Sequence, residues 1–405
     1  MKHIALISLH TPTATNCRGA SALPFHLLAF RPQNIRVEIW SFNLNGCSPE
    51  QIVAAETSLG LKIHIIDRPK WLRFLSPAPV RLLLPKPMLG YLPLPVGTCT
   101  EIKRFLSRSN SAIWIYGEDI AHLAGEFEGL PTVITTPDCE AMYYHRVLGM
   151  KGVPQSKMTV ARYLLMYHRY ARMAAKYPVG EKIVYHLVGN EDTLFLKKMN
   201  PAADAIFIRH PHYDLSSLPH AGVCAGEKIR LLVAGRYDFA MAHAVDDAVE
   251  ALQSLPQSVK TAFVVTFLGK GWHGCVATLK SAGFDVQLKE YVEDYAAEVA
   301  SHHIQLTPVA VGTGTKGKVL DAFANGLMVI GTPLALENIA VESGKECIEY
   351  KSGPELAHWL VRLAESTSMI NEIASAGKAA VLSNHGRQKI ADEFFSLFNS
   401  LQDCK

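Results

Sequence analysis

Hydrophobic residues alternate along this chain between short β-branched runs and longer amphipathic segments. The short runs predict strands at 3–9, 35–41, 62–66, 112–116, 131–135, 183–187, 205–208, 229–234, 262–268, 284–288, 303–307, 327–331 and 346–350. Segments of helical length fill most of the gaps, for example 242–254, 292–301 and 317–325. This alternation is typical of parallel sheets covered by helices, so the pattern predicts an α/β protein.

A stretch rich in turn formers, residues 214–222, interrupts this pattern near the middle of the chain. The chain has 405 residues, enough for two or three domains. We therefore expect two Rossmann-like domains of similar size, 1–220 and 221–385, facing each other across a cleft.

Charge divides the chain at the same place. Residues 1–220 carry 24 Lys and Arg against 16 Asp and Glu, and the remainder carries 16 against 21. Two stretches of the first half, 68–100 and 141–180, contain no acidic residue. Basic positions among aromatic and apolar ones suit an anionic membrane or a lipid-linked phosphate. A solvated basic face beside a proline-rich loop is the alternative.

Cysteine spacing and hydropathy bear on the cellular location. The eight cysteines form no C-x-x-C pair, which favours reduced thiols of a cytoplasmic protein. The apolar start is interpreted as a buried strand rather than a signal peptide. No apolar stretch is long enough to span a bilayer, and no nucleic-acid partner is expected.

The most informative segment is a glycine-rich turn between a predicted strand and a predicted helix. Its chemistry-bearing residues are Gly312, Thr313, Gly314, Thr315, Lys316, Gly317, Lys318 and Asp321. Exposed backbone N–H groups, a helix start and two ammonium groups would converge there, which predicts a phosphate or diphosphate site. The G-x-G-x-x-G spacing also fits a dinucleotide fingerprint with Glu337 further on, and a purely structural glycine loop is a third interpretation.

Residues 312–333 resemble the donor-binding segment of GT-B glycosyltransferases, in particular the family-4-like group. That segment runs through a glycine-rich turn, a lysine, an acidic residue and a helix ending in glycine, then a strand ending in Thr-Pro, as at Thr332-Pro333. The strand ending in Gly235-Arg236 resembles the opening of that group's second domain. Residues 386–405 resemble its closing helix, which packs back on the first domain.

The resemblance implies roles for individual residues. Lys318 and Arg236 would neutralise the donor diphosphate in place of a metal ion, with Lys316 beside them, and Asp321 would hold the ribose. Tyr291 and Val292 would border the nucleobase, and Gly312, Thr313, Gly314 and Thr315 would approach the sugar and its phosphates. Thr313 occupies the position of the usual first glutamate, and Asp321 replaces the second.

The first domain would bind the acceptor. Asp138 follows a predicted strand and is a candidate general base, with a helix cap as the alternative. His10, Arg18 and Gly19 would lie on the acceptor side. The histidine pairs lack metal-ligand spacing, so no metal is expected.

The expected activity is transfer of a sugar from a nucleotide-diphosphate sugar, acting as co-substrate, to a hydroxyl of a glycan or lipid-linked acceptor. The setting would be cell-surface polysaccharide synthesis, with peripheral association at the inner face of the membrane. A nucleotide-sugar epimerase and a two-domain sugar-binding protein are the alternatives, with a dehydrogenase behind them.

Overall fold

The structure is a computed structural model, and it describes residues 1–14, 21–108, 110–150, 156–213 and 215–403. The chain divides into two compact units. The first comprises Met1–Pro211 together with Arg387–Lys405, and the second comprises His212–Gly386. The division at 220 and the domain roles attached to it were drawn from composition, charge and resemblance, and they stay predictions.

A parallel sheet of seven strands forms the centre of the first unit, in the order β3-β2-β1-β4-β5-β6-β7. The strands are β1 (Lys2–Ser8), β2 (Ile35–Ser41), β3 (Lys62–Ile65), β4 (Ser111–Tyr116), β5 (Thr132–Thr135), β6 (Ile183–Leu187) and β7 (Ala205–Phe207). The order reverses beside β1, and ligands of open parallel sheets bind near the carboxyl ends of strands at such a point.

Helices cover both faces of this sheet. They are α1 (Ala22–Ala29), α2 (Pro49–Leu59), α3 (Ala78–Leu83), α4 (Val96–Leu106), α5 (Glu140–Gly149), α6 (Lys157–Ala174) and α7 (Asn190–Met199). Three 3-10 helices lie at Lys70–Leu75, Met88–Tyr91 and Glu118–Phe127. The last of these begins directly after β4, so it places its first side chains at the carboxyl edge of the sheet.

The second unit has its own parallel sheet of six strands, in the order β10-β9-β8-β11-β12-β13. The strands are β8 (Ile229–Ala234), β9 (Phe263–Leu268), β10 (Asp285–Lys289), β11 (Ile304–Thr307), β12 (Met328–Gly331) and β13 (Ile348–Glu349). Its helices are α8 (Phe239–Gln253), α9 (Gln257–Lys260), α10 (His273–Ser281), α11 (Tyr295–Ala300), α12 (Gly317–Ala324), α13 (Pro333–Leu336), α14 (Gly353–Glu365) and α15 (Thr367–Asn384). The predicted α/β class and both parallel sheets are confirmed.

The last helix, α16 (Arg387–Asp403), belongs to the first unit although it follows the second in the chain. Its buried residues Phe394, Phe395 and Phe398 join the apolar cluster on one face of the first sheet. The ring of Phe394 lies 4.6 Å from that of Trp114 in β4. Buried aromatic pairs of this kind add specific contacts to the burial of apolar surface. Because α16 packs in this way on the first unit, its predicted return to the first domain is confirmed.

Candidate functional site

The carboxyl ends of β8 and β9 lie side by side in the second unit, because these strands pair in parallel over their whole length. Gly235 follows β8 with φ +125°, and Gly269 follows β9 with φ +123°. A Cβ on Gly269 would collide with the Gly235 carbonyl oxygen, so only glycine permits this close approach. A cation follows each of these glycines: Arg236 after Gly235, and Lys270 after Gly269. Both side chains are exposed.

Lys270 is a cation at this edge that the sequence analysis missed. The Tyr237 amide donates to its carbonyl oxygen at 2.9 Å, which holds the segment after β8 against the segment after β9. The signal that could have found it is the order of residues: a glycine and then a cation follow both strands, and both strands neighbour each other.

The glycine-rich turn between β11 and α12 is held by its own lysine. Lys316 Nζ donates to the carbonyl oxygens of Thr313 and Gly314, both at 3.0 Å. Gly314 has φ +59°, and Asn338 Nδ2 donates to its carbonyl at 3.2 Å. A Cβ on Gly312 would lie 3.1 Å from Lys316 Cε, so the turn closes tightly around this side chain. Lys316 therefore fixes the turn in the structure, and its contact with a donor stays a prediction.

Lys318, in the first turn of α12, directs its ammonium group to the end of β8. A Cβ on Gly235 would lie 2.6 Å from Lys318 Nζ, which also lies 3.4 Å from the Met241 sulfur. The pKa of Lys318 is lowered to about 8, chiefly by burial; the charge of Asp238 raises it, and the charge of Lys316 contributes to the lowering. The fold thus brings the predicted pair Lys318 and Arg236 to the same strand end.

Asp321 lies one helical turn after Lys318 and is only 9% exposed. Its Oδ1 accepts a hydrogen bond from the Tyr213 amide at 3.0 Å. The Tyr295 ring lies close by, and burial, followed by the charge of Asp321, raises the pKa of its hydroxyl. The carboxylate therefore ties the start of the second unit to α12, and a ribose contact by Asp321 stays a prediction.

The predicted nucleobase border follows β10, at the far side of the same sheet edge. Tyr291 is 79% exposed, whereas Val292 packs against the apolar cluster that contains Val319 and Leu320. An exposed aromatic ring beside a fixed aliphatic side chain can stack on a planar ligand. The contact itself stays a prediction.

Acidic side chains gather at the carboxyl edge of β4 and β5 in the first unit. Asp138 is exposed and lies one residue before Cys139, the N-cap of α5, whose thiol makes no capping bond. Its neighbours Glu118, Asp119 and Glu140 were not predicted from the sequence. Glu118 and Asp119 follow β4 immediately after Gly117, and β4 pairs with β5, so strand adjacency was the missing information.

Burial is the largest cause of the raised pKa values of Glu118, Asp119 and Glu140. Glu118 accepts from the Tyr177 hydroxyl at 2.6 Å and from the Glu140 amide at 3.1 Å, and burial holds its pKa well above the usual range. Burial raises the pKa of Asp119 to about 6. The pKa of Glu140 rises to about 7 through burial and then through the charges of Asp138 and Asp119. A carboxylate with a pKa near neutrality is suited to proton transfer.

The remaining acceptor-side predictions have mixed outcomes. His10 lies two residues after β1, at the same edge as the acidic group, and burial lowers its pKa. Arg18 and Gly19 lie outside the described residues. Arg169, a basic position of the acid-free stretch 141–180, is 5% exposed and donates to the Leu82 carbonyl, so the predicted basic surface does not include it. Its position on the inner side of α6 explains the difference.

Two further features concern metal binding and membrane crossing. In the part of the chain that the structure describes, no group of three or more His, Cys, Asp and Glu could hold a metal ion. No helix within the described ranges combines the length and the apolar character that a bilayer crossing requires.

Comparison with known proteins agrees with this architecture. Residues 246–396 match a family described as glycosyl transferase-like. A glycosyltransferase of Rickettsia africae is 12% identical, with a TM-score of 0.65 and 99% of each chain covered. Sucrose-phosphate synthase of Thermosynechococcus elongatus is 12% identical, with a TM-score of 0.64 and 100% of each chain covered. No curated protein matches the chain by sequence.

HepE of Anabaena, solved in complex with UDP-glucose, is a third similar structure. It is 11% identical, with a TM-score of 0.63, and 99% of this chain and 100% of HepE are covered. The chain has the fold of GT-B glycosyltransferases. Together with the family match, this supports a transferase enzyme.

Proposed function

Because the chain has the GT-B glycosyltransferase fold and a glycosyl transferase-like segment at 246–396, we propose that it transfers a sugar from a nucleotide-diphosphate sugar to an acceptor hydroxyl. The acceptor is a glycan or a lipid-linked glycan of cell-surface polysaccharide synthesis. The observation that carries this proposal is the convergence of Lys318, Arg236 and Lys270 at the ends of β8 and β9.

On the donor side, these cations act on the leaving group. The acceptor oxygen forms a bond to the anomeric carbon while the bond from that carbon to the diphosphate oxygen breaks. Negative charge accumulates on the nucleoside diphosphate, and fixed ammonium and guanidinium groups stabilise it more in the transition state than in the ground state. No metal cofactor is part of the proposal, and structures of HepE hold UDP and UDP-glucose, which makes uridine donors the first to test.

On the acceptor side, Asp138 takes the proton of the attacking hydroxyl. It is exposed at the carboxyl end of β5, as a base that meets a substrate must be. The charge of Asp138 contributes to the raised pKa of Glu140, so the two carboxylates lie near each other. Glu140 is thus a partner that can share the released proton.

A thermal-shift panel of nucleoside diphosphates and nucleotide sugars tests this proposal. We expect one nucleotide to stabilise the protein by about 2.7 kcal/mol at a hundred times its dissociation constant, with or without EDTA. With that donor, Asp138→Asn should leave the thermal shift intact and slow transfer about 10²- to 10⁴-fold. Indifference to every nucleotide would contradict the proposal, and donor conversion that needs no acceptor would instead indicate an epimerase.

We further propose that the first unit associates with the inner face of an anionic membrane. Around the first two short helices of the proline-rich stretch, large apolar side chains are exposed, with Trp71 at 44%, Phe74 at 77% and Leu83 at 85%. The cations Lys70, Arg73 and Arg81 alternate with them and are exposed as well. Apolar side chains that insert among lipids and cations that meet their headgroups together favour an anionic interface.

Reversing Arg73 and Arg81 to glutamate should lower binding to phosphatidylglycerol vesicles at least about 30-fold, since each basic residue near such a surface contributes about 1 kcal/mol. Vesicle co-sedimentation measures the effect. Lys62→Glu with Lys280→Glu is the matched control, because both residues are exposed and lie outside this stretch. Equal losses in the two double variants, or no binding by the unmodified protein, would refute the membrane proposal.

A further inference from the structure

A cavity of about 350 Å³ lies wholly within the first unit. It is enclosed by residues 85–91 of the proline-rich stretch 68–100, by the start of the 3-10 helix after β4 and by the end of α6. Its polar lining is formed by Lys86, Tyr91, Glu118, Asp119, His122, Arg172, Lys176 and Tyr177. The volume is at the lower end of the range of small-molecule sites, so it suits a ligand of one or two rings.

Three cations line this cavity. Lys86 is half-buried with its Nζ 4.2 Å from the centre of the Tyr91 ring, and burial lowers its pKa. Arg172 and Lys176 are exposed at the end of α6. None of the three forms an ion pair with another described residue. Concentrated positive charge at the entrance of a cavity attracts an anionic group.

Two buried polar atoms in the lining have no hydrogen-bond partner among the described residues: Asp119 Oδ1 and Tyr91 Oη. Glu118, the next carboxylate in the lining, differs because Tyr177 and Glu140 already donate to it. A buried carboxylate oxygen without a donor is costly, so the site gains from a ligand that supplies a hydroxyl.

We propose that this cavity binds a saccharide that carries a phosphate or carboxylate group. Its hydroxyls would donate to Asp119 and bond with Tyr91, and its anionic group would meet Lys86, Arg172 and Lys176. This inference rests on the proposed function, which it deepens, because it makes the acceptor an acidic saccharide. Glu118 links the cavity to the Glu140 amide, so a sugar held there lies beside the carboxylates of the proposed acceptor site.

The two kinds of lining group together select this ligand class. A bare anion would meet the cations but leave Asp119 without a donor and repelled by the added charge. A neutral sugar would satisfy Asp119 but leave three unpaired cations unused. Only a ligand with both hydroxyls and an anionic group uses the whole lining.

Isothermal calorimetry of the full chain, without any nucleotide, tests the proposal. The probes are glucose 6-phosphate and glucuronate, with glucose and inorganic phosphate as controls. We expect either acidic sugar to bind at least tenfold more tightly than both controls. Asp119→Asn should weaken binding about tenfold, and Arg172→Ala with Lys176→Ala should weaken it at least as much.

Matched variants separate this site from general charge effects. Glu126→Gln removes an exposed carboxylate of the same 3-10 helix, and Lys157→Ala with Arg162→Ala removes two exposed cations of the same α6, all outside the cavity lining. These should bind as the unmodified protein does. Tyr91→Phe keeps the ring and removes one hydroxyl, so it should weaken sugar binding about threefold even if Asp119→Asn were to fold poorly.

The inference fails if neither acidic sugar binds at millimolar concentration, if glucose or phosphate binds equally well, or if the control variants lose affinity to the same extent. The nucleotide panel distinguishes this failure from that of the proposed function. Nucleotide binding with no acidic-sugar binding overturns the acceptor class alone, whereas loss of both overturns the proposed function as well.

Discussion

Replacing Lys318 by methionine is expected to slow sugar transfer by about two to three orders of magnitude and, at the same time, to raise the thermal stability of the protein at pH 7. Removing one fixed group that stabilises developing negative charge slows an enzyme about 10²- to 10³-fold. Methionine keeps most of the length of the side chain, but it removes the partly buried ammonium group that contacts the Met241 sulfur. The gain in unfolding free energy is on the order of 2 kcal/mol, since each pKa unit corresponds to about 1.4 kcal/mol and partial exposure reduces the effect.

The pH dependence of this gain has a definite sign. The pKa of Lys318 falls from its ordinary value of 10.5, which the unfolded chain retains, to about 8 in the fold. Between these values the unfolded chain binds the proton and the folded chain does not, so the unmodified protein becomes more stable as pH rises. The advantage of the Lys318→Met variant is therefore complete below pH 8 and disappears toward pH 10.5. Calorimetric melting curves across this range measure it.

Two controls make the Lys318 prediction specific. Lys318→Arg retains the charge and should retain nucleotide binding better than methionine does. Lys316→Met should lower stability instead, because it removes both bonds that the ammonium donates to the turn. Normal transfer by Lys318→Met would show that the diphosphate binds elsewhere.

Replacing Gly269 by alanine is expected to be the most destabilising single methyl addition in the second unit. The added Cβ would meet the carbonyl oxygen of Gly235, a backbone atom that cannot rotate away, and φ is +123° at this position. Overpacking against backbone combined with a left-handed conformation costs about 3–5 kcal/mol. Nucleotide binding should disappear with stability, because Arg236 follows the displaced carbonyl directly.

Gly274→Ala is the matched control for this substitution. Gly274 lies in the first turn of α10, only five positions from Gly269, and a Cβ there has no atom within 4 Å. Alanine is the better helix former, so this variant should melt at the same temperature or slightly above it. Denaturant unfolding of both variants decides the matter, and a Gly269→Ala protein as stable as Gly274→Ala would contradict the packing argument.

Sequence patterns predicted the strands of both sheets well because each strand is encoded by one contiguous run of residues. Every β-branched run, from 3–9 to 346–350, became a strand with ends shifted by at most a few residues. Buried parallel strands are apolar throughout, which makes them conspicuous. The glycine turn and Lys318 were also accessible, since a phosphate-binding turn is contiguous in the chain.

The features that sequence did not predict depend on which elements become neighbours. Glu118 and Asp119 join Asp138 only because β4 pairs with β5. Lys270 joins Arg236 only because β9 pairs with β8. Arg169 has the same composition signal as the exposed Arg162, yet the rotation of α6 buries one and exposes the other. Strand order and helix rotation are tertiary properties, and local hydropathy does not determine them.

The position of α16 has a consequence for synthesis. Phe394, Phe395 and Phe398 complete the core of the first unit, yet the ribosome produces them after the whole second unit. Domains usually form in order from the amino terminus. The first unit therefore lacks part of the apolar covering on one face of its sheet until α16 is made, whereas all residues of the second unit are made before that. The last helix thus acts as a closing step, and a chain interrupted before residue 387 would contain a complete second unit and an unfinished first one.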